Sequence, residues 1–80
     1  MVARAKRKSA EFAYHVDHDK KLKRWDIVDD VGRIIGHRHE IGEAIQFAIR
    51  DAQHAHGQGD SVVVCVEQKD GTYKMAWSSR

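Results

Sequence analysis

Two patterns of apolar residues meet at one joint in this chain. From about residue 40 to 56, Ile41, Ala44, Ile45, Ala48, Ile49, Ala52 and Ala55 recur at i, i+3, i+4 and i+7, the spacing of one helical stripe. Glu40, Glu43, Gln46, Arg50, Gln53 and His54 fill the remaining positions. The small alanines predict a helix that lies close against a sheet. Gly57 stands where a residue of positive φ ends a helix. The start is less well marked, with His39 and Glu40 in place of a usual cap and Gly42 costing about 1 kcal/mol relative to alanine. Phe47 lies off the stripe, placed to cover a sheet edge or to meet a partner.

The helix runs into a hairpin over residues 61–77. Asp70-Gly71 separates two β-rich runs and tolerates the positive φ of a two-residue loop. That loop pairs Lys69 with Thr72, Gln68 with Tyr73, Glu67 with Lys74, Val66 with Met75, Cys65 with Ala76 and Val64 with Trp77. Alternation then sorts Val62, Val64, Val66, Tyr73, Met75 and Trp77 to one face, toward the helix. Val63, Cys65, Glu67, Lys74, Ala76 and Ser78 take the other, with Glu67 and Lys74 as a cross-strand ion pair.

Upstream, Phe12, Tyr14 and Val16 alternate with Ala13, His15 and Asp17, an amphipathic strand. Lys20, Lys21, Leu22 and Lys23 make a polar connection to a second strand at 25–29. Residues 33–37 predict a third strand, paired either Ile27 to Ile35 or Val28 to Ile35. The fold class that follows is α+β: a ββ(β)αββ antiparallel sheet with one helix packed on one face. Residues 1–10 read as a flexible basic N-terminal arm and 11–78 as a single domain.

Size narrows the chemistry. A chain of 80 residues has no room for an enclosed active site of usual volume unless two copies build it together. The single cysteine, Cys65, excludes an internal disulfide and a cysteine-based zinc cage. The longest apolar run is 62–66, and no apolar segment follows the basic start, so neither export nor a membrane span is expected and the expected address is cytoplasmic.

Charge is uneven beneath a net of +2. Arg4, Lys6, Arg7, Lys8, Lys20, Lys21, Lys23 and Arg24 fall in two short segments, and the rest of the chain is acidic. An arm and a loop of this kind reach phosphates, which makes these residues the candidate nucleic-acid contacts. The plainer alternative is a solubilising tail, since the pI near 8.9 falls just short of a basic nucleic-acid-binding domain.

Six histidines raise the question of metal. On a strand His37 and His39 share a face and are the one pair placed to chelate. On a helix His54 and His56 point about 200° apart. Solvated histidines at element ends are the simpler reading, so no metal and no cofactor is expected. Cys65 sits among valines, where a thiol is a small inert apolar group. Asp26, Asp29 and Asp30 crowd a strand end without a partner motif, and no phosphate loop or nucleophile motif occurs. The sequence therefore predicts no enzyme.

Tyr14-His-Val16, Trp25-Asp-Ile-Val28, Glu43-Ala-Ile45 with Ala48 and Ala52, Val62-Val-Val64 and Lys69-Asp-Gly71 together resemble a group of small bacterial proteins known only as a domain of unknown function. The resemblance spans roughly residues 12–77. It implies the same order of strands and helix, and no catalytic residue. Glu40 stands about where that group places a capping threonine, and the stretch from 31 to 39 is longer than its pattern. A fainter likeness is to βββαβ antitoxin-type proteins, which bind a toxin and in some cases operator DNA.

The leading expectation is a protein-interaction or assembly module that self-associates through the sheet face opposite the helix. Val63, Cys65, Ala76 and Phe47 are its candidate interface residues, with Ala13 and Val28 beside them. The alternative is a nucleic-acid-binding or antitoxin-type accessory protein. Trp77 and Trp25 are expected in the core, with Val64, Met75 and Trp77 against Ile45, Ala48 and Ile49.

Overall fold

The computed structural model describes residues 11–56 and 59–79. The elements follow in the order β1 (Glu11–Asp19), β2 (Arg24–Val28), β3 (Ile34–Arg38), α1 (Ile41–Ala55), β4 (Ser61–Glu67) and β5 (Tyr73–Ser78). This is the expected α+β order with all three strands present before the helix. The five strands lie in the order β3-β2-β1-β4-β5. One pairing departs from the antiparallel expectation: β1 and β4 run parallel at the centre of the sheet. The other three pairings are antiparallel. Two hairpin reversals leave β3 running in the direction of β1, and α1 then carries the chain back across the sheet. The strand after the helix must start at the same end as β1, and a helical crossover is what a parallel pair requires.

The core lies between the sheet and α1. Tyr14, Val16, Ile27, Val62, Val64 and Val66 are buried from the sheet, and Ala44, Ala48 and Ala52 from the helix. The alanine stripe thus brings the helix backbone close to the bulky side of the sheet. Ile45, Ile49, Trp25 and Trp77 pack around this centre, partly buried. Glu40 sits at the helix start with extended backbone and no side-chain cap bond, and the N–H of Ala44 reaches its carbonyl at 3.0 Å. At the other end the N–H of His56 bonds the carbonyl of Ala52. Gly57, expected to end the helix, lies outside the described residues.

Phe47 covers an edge, one of the two roles open to it. Its ring lies over Gly36 of β3, where an added Cβ would come within 2.7 Å of the ring. The Arg38 guanidinium sits 4.7 Å from the ring centroid, a cation–π contact. Neither β2–β3 pairing that the sequence left open is adopted. Ile27 faces Gly36 and Val28 faces Ile34, with the register shifting between them. Ile35 is the extra residue of that irregularity and turns into the core edge. The turn between these strands is built on Asp29, whose carboxylate accepts the N–H groups of Val31 and Arg33 and the Arg33 Nε–H. Those backbone donors hold its carboxyl below the usual range.

The β4–β5 hairpin is corrected in detail. The loop has three residues, not two: Gln68 donates to the Thr72 carbonyl at 2.7 Å and Gly71 donates back to Gln68 at 3.0 Å. Gly71 takes φ +88, as a three-residue loop needs at its last position. The Asp70 carboxylate accepts both the N–H and the hydroxyl of Thr72, which fixes this longer loop. Pairing therefore starts one step off. Glu67 faces Tyr73, Val66 faces Lys74 and Cys65 faces Met75, so the expected Glu67–Lys74 pair does not form. A register shift at Val64/Cys65 then makes Ala76 the extra residue and returns Trp77 to Val64, as expected. Tyr73 and Met75 consequently leave the helix side for the opposite face.

Candidate interaction surface

Strand pairing fixes what that opposite face presents, since directly paired residues point to the same side. The pairs Ile34–Val28, Val28–His15, His15–Cys65 and Cys65–Met75 form one continuous row across all five strands. Ala13 and Val63 lie one step along on the side where β1 begins. His15, Val28, Cys65, Ala13 and Val63 are half-buried among their neighbours. The ends of the row are open: Ile34 is 63% and Met75 58% exposed. Among the described residues nothing covers this face.

The row one step the other way is acidic. Asp17 pairs with Asp26, Asp26 with His37, and Glu67 with Tyr73. These carboxylates are held in place. Asp26 binds the Arg24 Nε–H at 2.9 Å, Glu67 accepts the His18 backbone N–H at 2.9 Å, and Asp17 accepts the Tyr73 hydroxyl at 2.6 Å. The Tyr73 bond to Asp17, with partial burial and the nearby negative charge, pushes the phenol up to about 12. His15 meets the edge of the same Tyr73 ring at 4.8 Å. The surface is thus an apolar band beside a margin of hydrogen-bonded carboxylates, with Arg24, Lys20 and Lys21 next to them.

The structure divides the expected interface residues. Val63 and Cys65 are on this face. Ala76 is not opposite Cys65, because the irregularity in β5 gives that place to Met75. Phe47 is on the helix side, over Gly36. Ile34 and Met75, the largest exposed groups on the row, were missed. Met75 was assigned to the core by the two-residue loop, and Ile34 depends on the irregularity in β3. The alternation of β1 alone would have found His15.

Of the candidate nucleic-acid contacts, Arg4, Lys6, Arg7 and Lys8 lie outside the described residues. Lys20, Lys21 and Lys23 are exposed in the β1–β2 turn, where Asp19 accepts the N–H groups of Lys21 and Leu22 and Lys23 takes φ 54. Arg24 is half-buried and held by its ion pair with Asp26, which lines one cleft with Lys20 and Lys21.

His37 and His39 have ring centroids 6.0 Å apart, with the His39 Nδ1 3.3 Å from the Lys23 carbonyl. Among the described residues no group of three or more His, Cys, Asp or Glu side chains is arranged to hold a metal ion. His54 is exposed while His56 is folded inward, stacked on Phe12 at 4.1 Å, with Asp60 and Asp30 carboxylates 3.7 and 3.9 Å from its ring nitrogens. Beside it the Tyr14 hydroxyl donates to Asp51 at 2.7 Å. Burial and that carboxylate push the phenol up from its ordinary value. The positions of Asp29, Asp30 and Asp26 are accounted for by the turn, the His56 contact and Arg24.

No described helix is long and apolar enough to cross a membrane. No protein-family model, curated protein or solved structure matches this chain.

Proposed function

We propose that this protein is a non-enzymatic interaction module that pairs with a second copy of itself through the open face of its sheet. The observation that carries this reading is the Ile34–Val28–His15–Cys65–Met75 row, whose bulkiest members are the most exposed. Val28, His15 and Cys65 at the centre with Ile34 and Met75 at the rim give a band that can pack against its own copy, as an isologous interface requires. Five strands at about 4.8 Å spacing and about six residues of length make a face of roughly 500 Å². Two such faces give about 1,000 Å², at the lower bound for a specific interface.

A dilution series followed by amide NMR tests this. Amides of Val63, Cys65 and Met75 are expected to shift with concentration, while those of Gln46 and Arg50 on the outer helix stay fixed. Concentration-independent spectra would remove the proposal.

Nucleic-acid binding is the competing reading. Asp17, Asp19 and Asp26 flank the three exposed lysines of the β1–β2 turn, within a screening length of them, and lower the local potential. A low-salt gel shift with DNA and with RNA is expected to give no complex. A complex that weakens steeply with added salt would favour the competing reading.

A further inference from the structure

The pair proposed above has a centre that symmetry fixes, and this inference rests on that pairing. The two faces reach the lower bound for a specific interface only when they overlap in full. Their two-fold axis then runs between the sheets, parallel to both, and passes over the middle of the face. His15 is that middle. It is the central residue of β1 (Glu11–Asp19), and β1 is the third of five strands. A residue on the axis meets its own copy whichever way the axis runs, so each His15 comes against the His15 of the other chain. Stacked sheets lie about 10 Å apart, and side chains from both fill the gap.

In the single chain His15 is half-buried, with Val28 and Cys65 paired on either side and the edge of the Tyr73 ring at 4.8 Å. No hydrogen bond or ion pair joins its ring to another described residue. The carboxylates one step along the strands are already engaged: Asp17 by the Tyr73 hydroxyl, Glu67 by the His18 N–H and Asp26 by Arg24. Lys20 and Lys21 share a cleft with Asp17 and Asp26, His37 pairs with Asp26, and Glu11 is exposed at the other end of β1. Each copy carries these groups before and after pairing. The second chain brings its own set no nearer to the centre than a two-residue step, about 7 Å along the strand, and that set holds both signs. What pairing changes at the centre is the loss of water and the arrival of a second imidazole. Burial disfavours a charged imidazole, and a like charge opposite adds to the cost. We infer that the pair forms with both His15 rings neutral and that protonation of His15 takes it apart, so that association depends on pH across the range where imidazole titrates.

Sedimentation equilibrium on the full chain at about pH 7.5 and about pH 5.5, at constant salt, tests this. Because pairing excludes a proton from each chain, the dissociation constant should rise about tenfold or more at the lower pH. His15→Gln cannot ionise and should pair with nearly equal affinity at both pH values, while His37→Gln should keep the wild-type pH response. The imidazole resonances of the wild type give a second reading: the midpoint of the His15 titration should move to lower pH as the chain is concentrated. A dimer equally tight at both pH values, or tighter at the lower one, would overturn this inference and leave the pairing standing. So would a pH response that survives in His15→Gln. A chain that is monomeric at both pH values would overturn both.

Discussion

Gly36 is the clearest single-residue requirement in the fold, because the Phe47 ring occupies the space of its missing Cβ. Gly36→Ala is expected to cost about 1–3 kcal/mol in urea denaturation by overpacking, with part of the loss recovered in Gly36→Ala/Phe47→Leu. An unchanged midpoint would mean that the ring moves aside freely. Tyr14→Phe removes the bond to Asp51 in a partly buried site and is expected to cost about 1–3 kcal/mol.

Tyr73 gives a pH prediction. Its folded-state pKa is raised from 10.0 to about 12, so the Asp17 bond stabilises the fold fully below pH 10 and loses that effect as pH rises toward 12. Ultraviolet titration should show Tyr73 ionising late, and Asp17→Asn should bring it back toward its ordinary value. An unaltered titration in Asp17→Asn would contradict the assignment of cause. Of these three contacts the sequence foresaw only that Phe47 could cover a sheet edge, and not that Gly36 would lie beneath it. The two tyrosine contacts join residues far apart in the chain, and alternation or helical spacing reports only which face a residue takes.

At the scale of elements, local periodicity carried most of the reading. The alanine stripe gave α1 and its buried side, and alternation gave β1 with its helix-facing Tyr14 and Val16. The hairpin failed at its loop, because the carboxylate of Asp70 satisfies Thr72 twice and favours three loop residues over two. A one-residue change moved Tyr73 and Met75 across the sheet, and the irregularity at Ala76 then restored Trp77. The parallel centre was out of reach, since strand order depends on where the helix lands and not on any one segment.

The corrected register makes a paired prediction, read at dilute concentration. Trp77→Ala should lower stability by about 3 kcal/mol, a large part of the ~5 kcal/mol expected for so small a domain. Met75→Ala should change it by about 0.5 kcal/mol or less. Equal losses would mean that Met75 belongs to the core after all. His37→Ala and His39→Ala are expected to leave folding intact.

At the scale of the whole molecule, one helix against a five-stranded sheet covers one side and leaves the other. The buried core is built from β1, β2, β4 and the alanines of α1, and the rim residues Ile34 and Met75 of the far-side row stay exposed. The proposed pairing rests on that row. The measurement that tests this most directly is sedimentation equilibrium from low to high micromolar concentration on the wild type and on Met75→Lys, which should fold normally and place a charge at the rim of the row. The account predicts a wild-type mass rising from 9.2 kDa toward twice that value, while Met75→Lys stays at the monomer mass. A wild type that remains at the monomer mass at every concentration, or a Met75→Lys variant that associates as the wild type does, would contradict it.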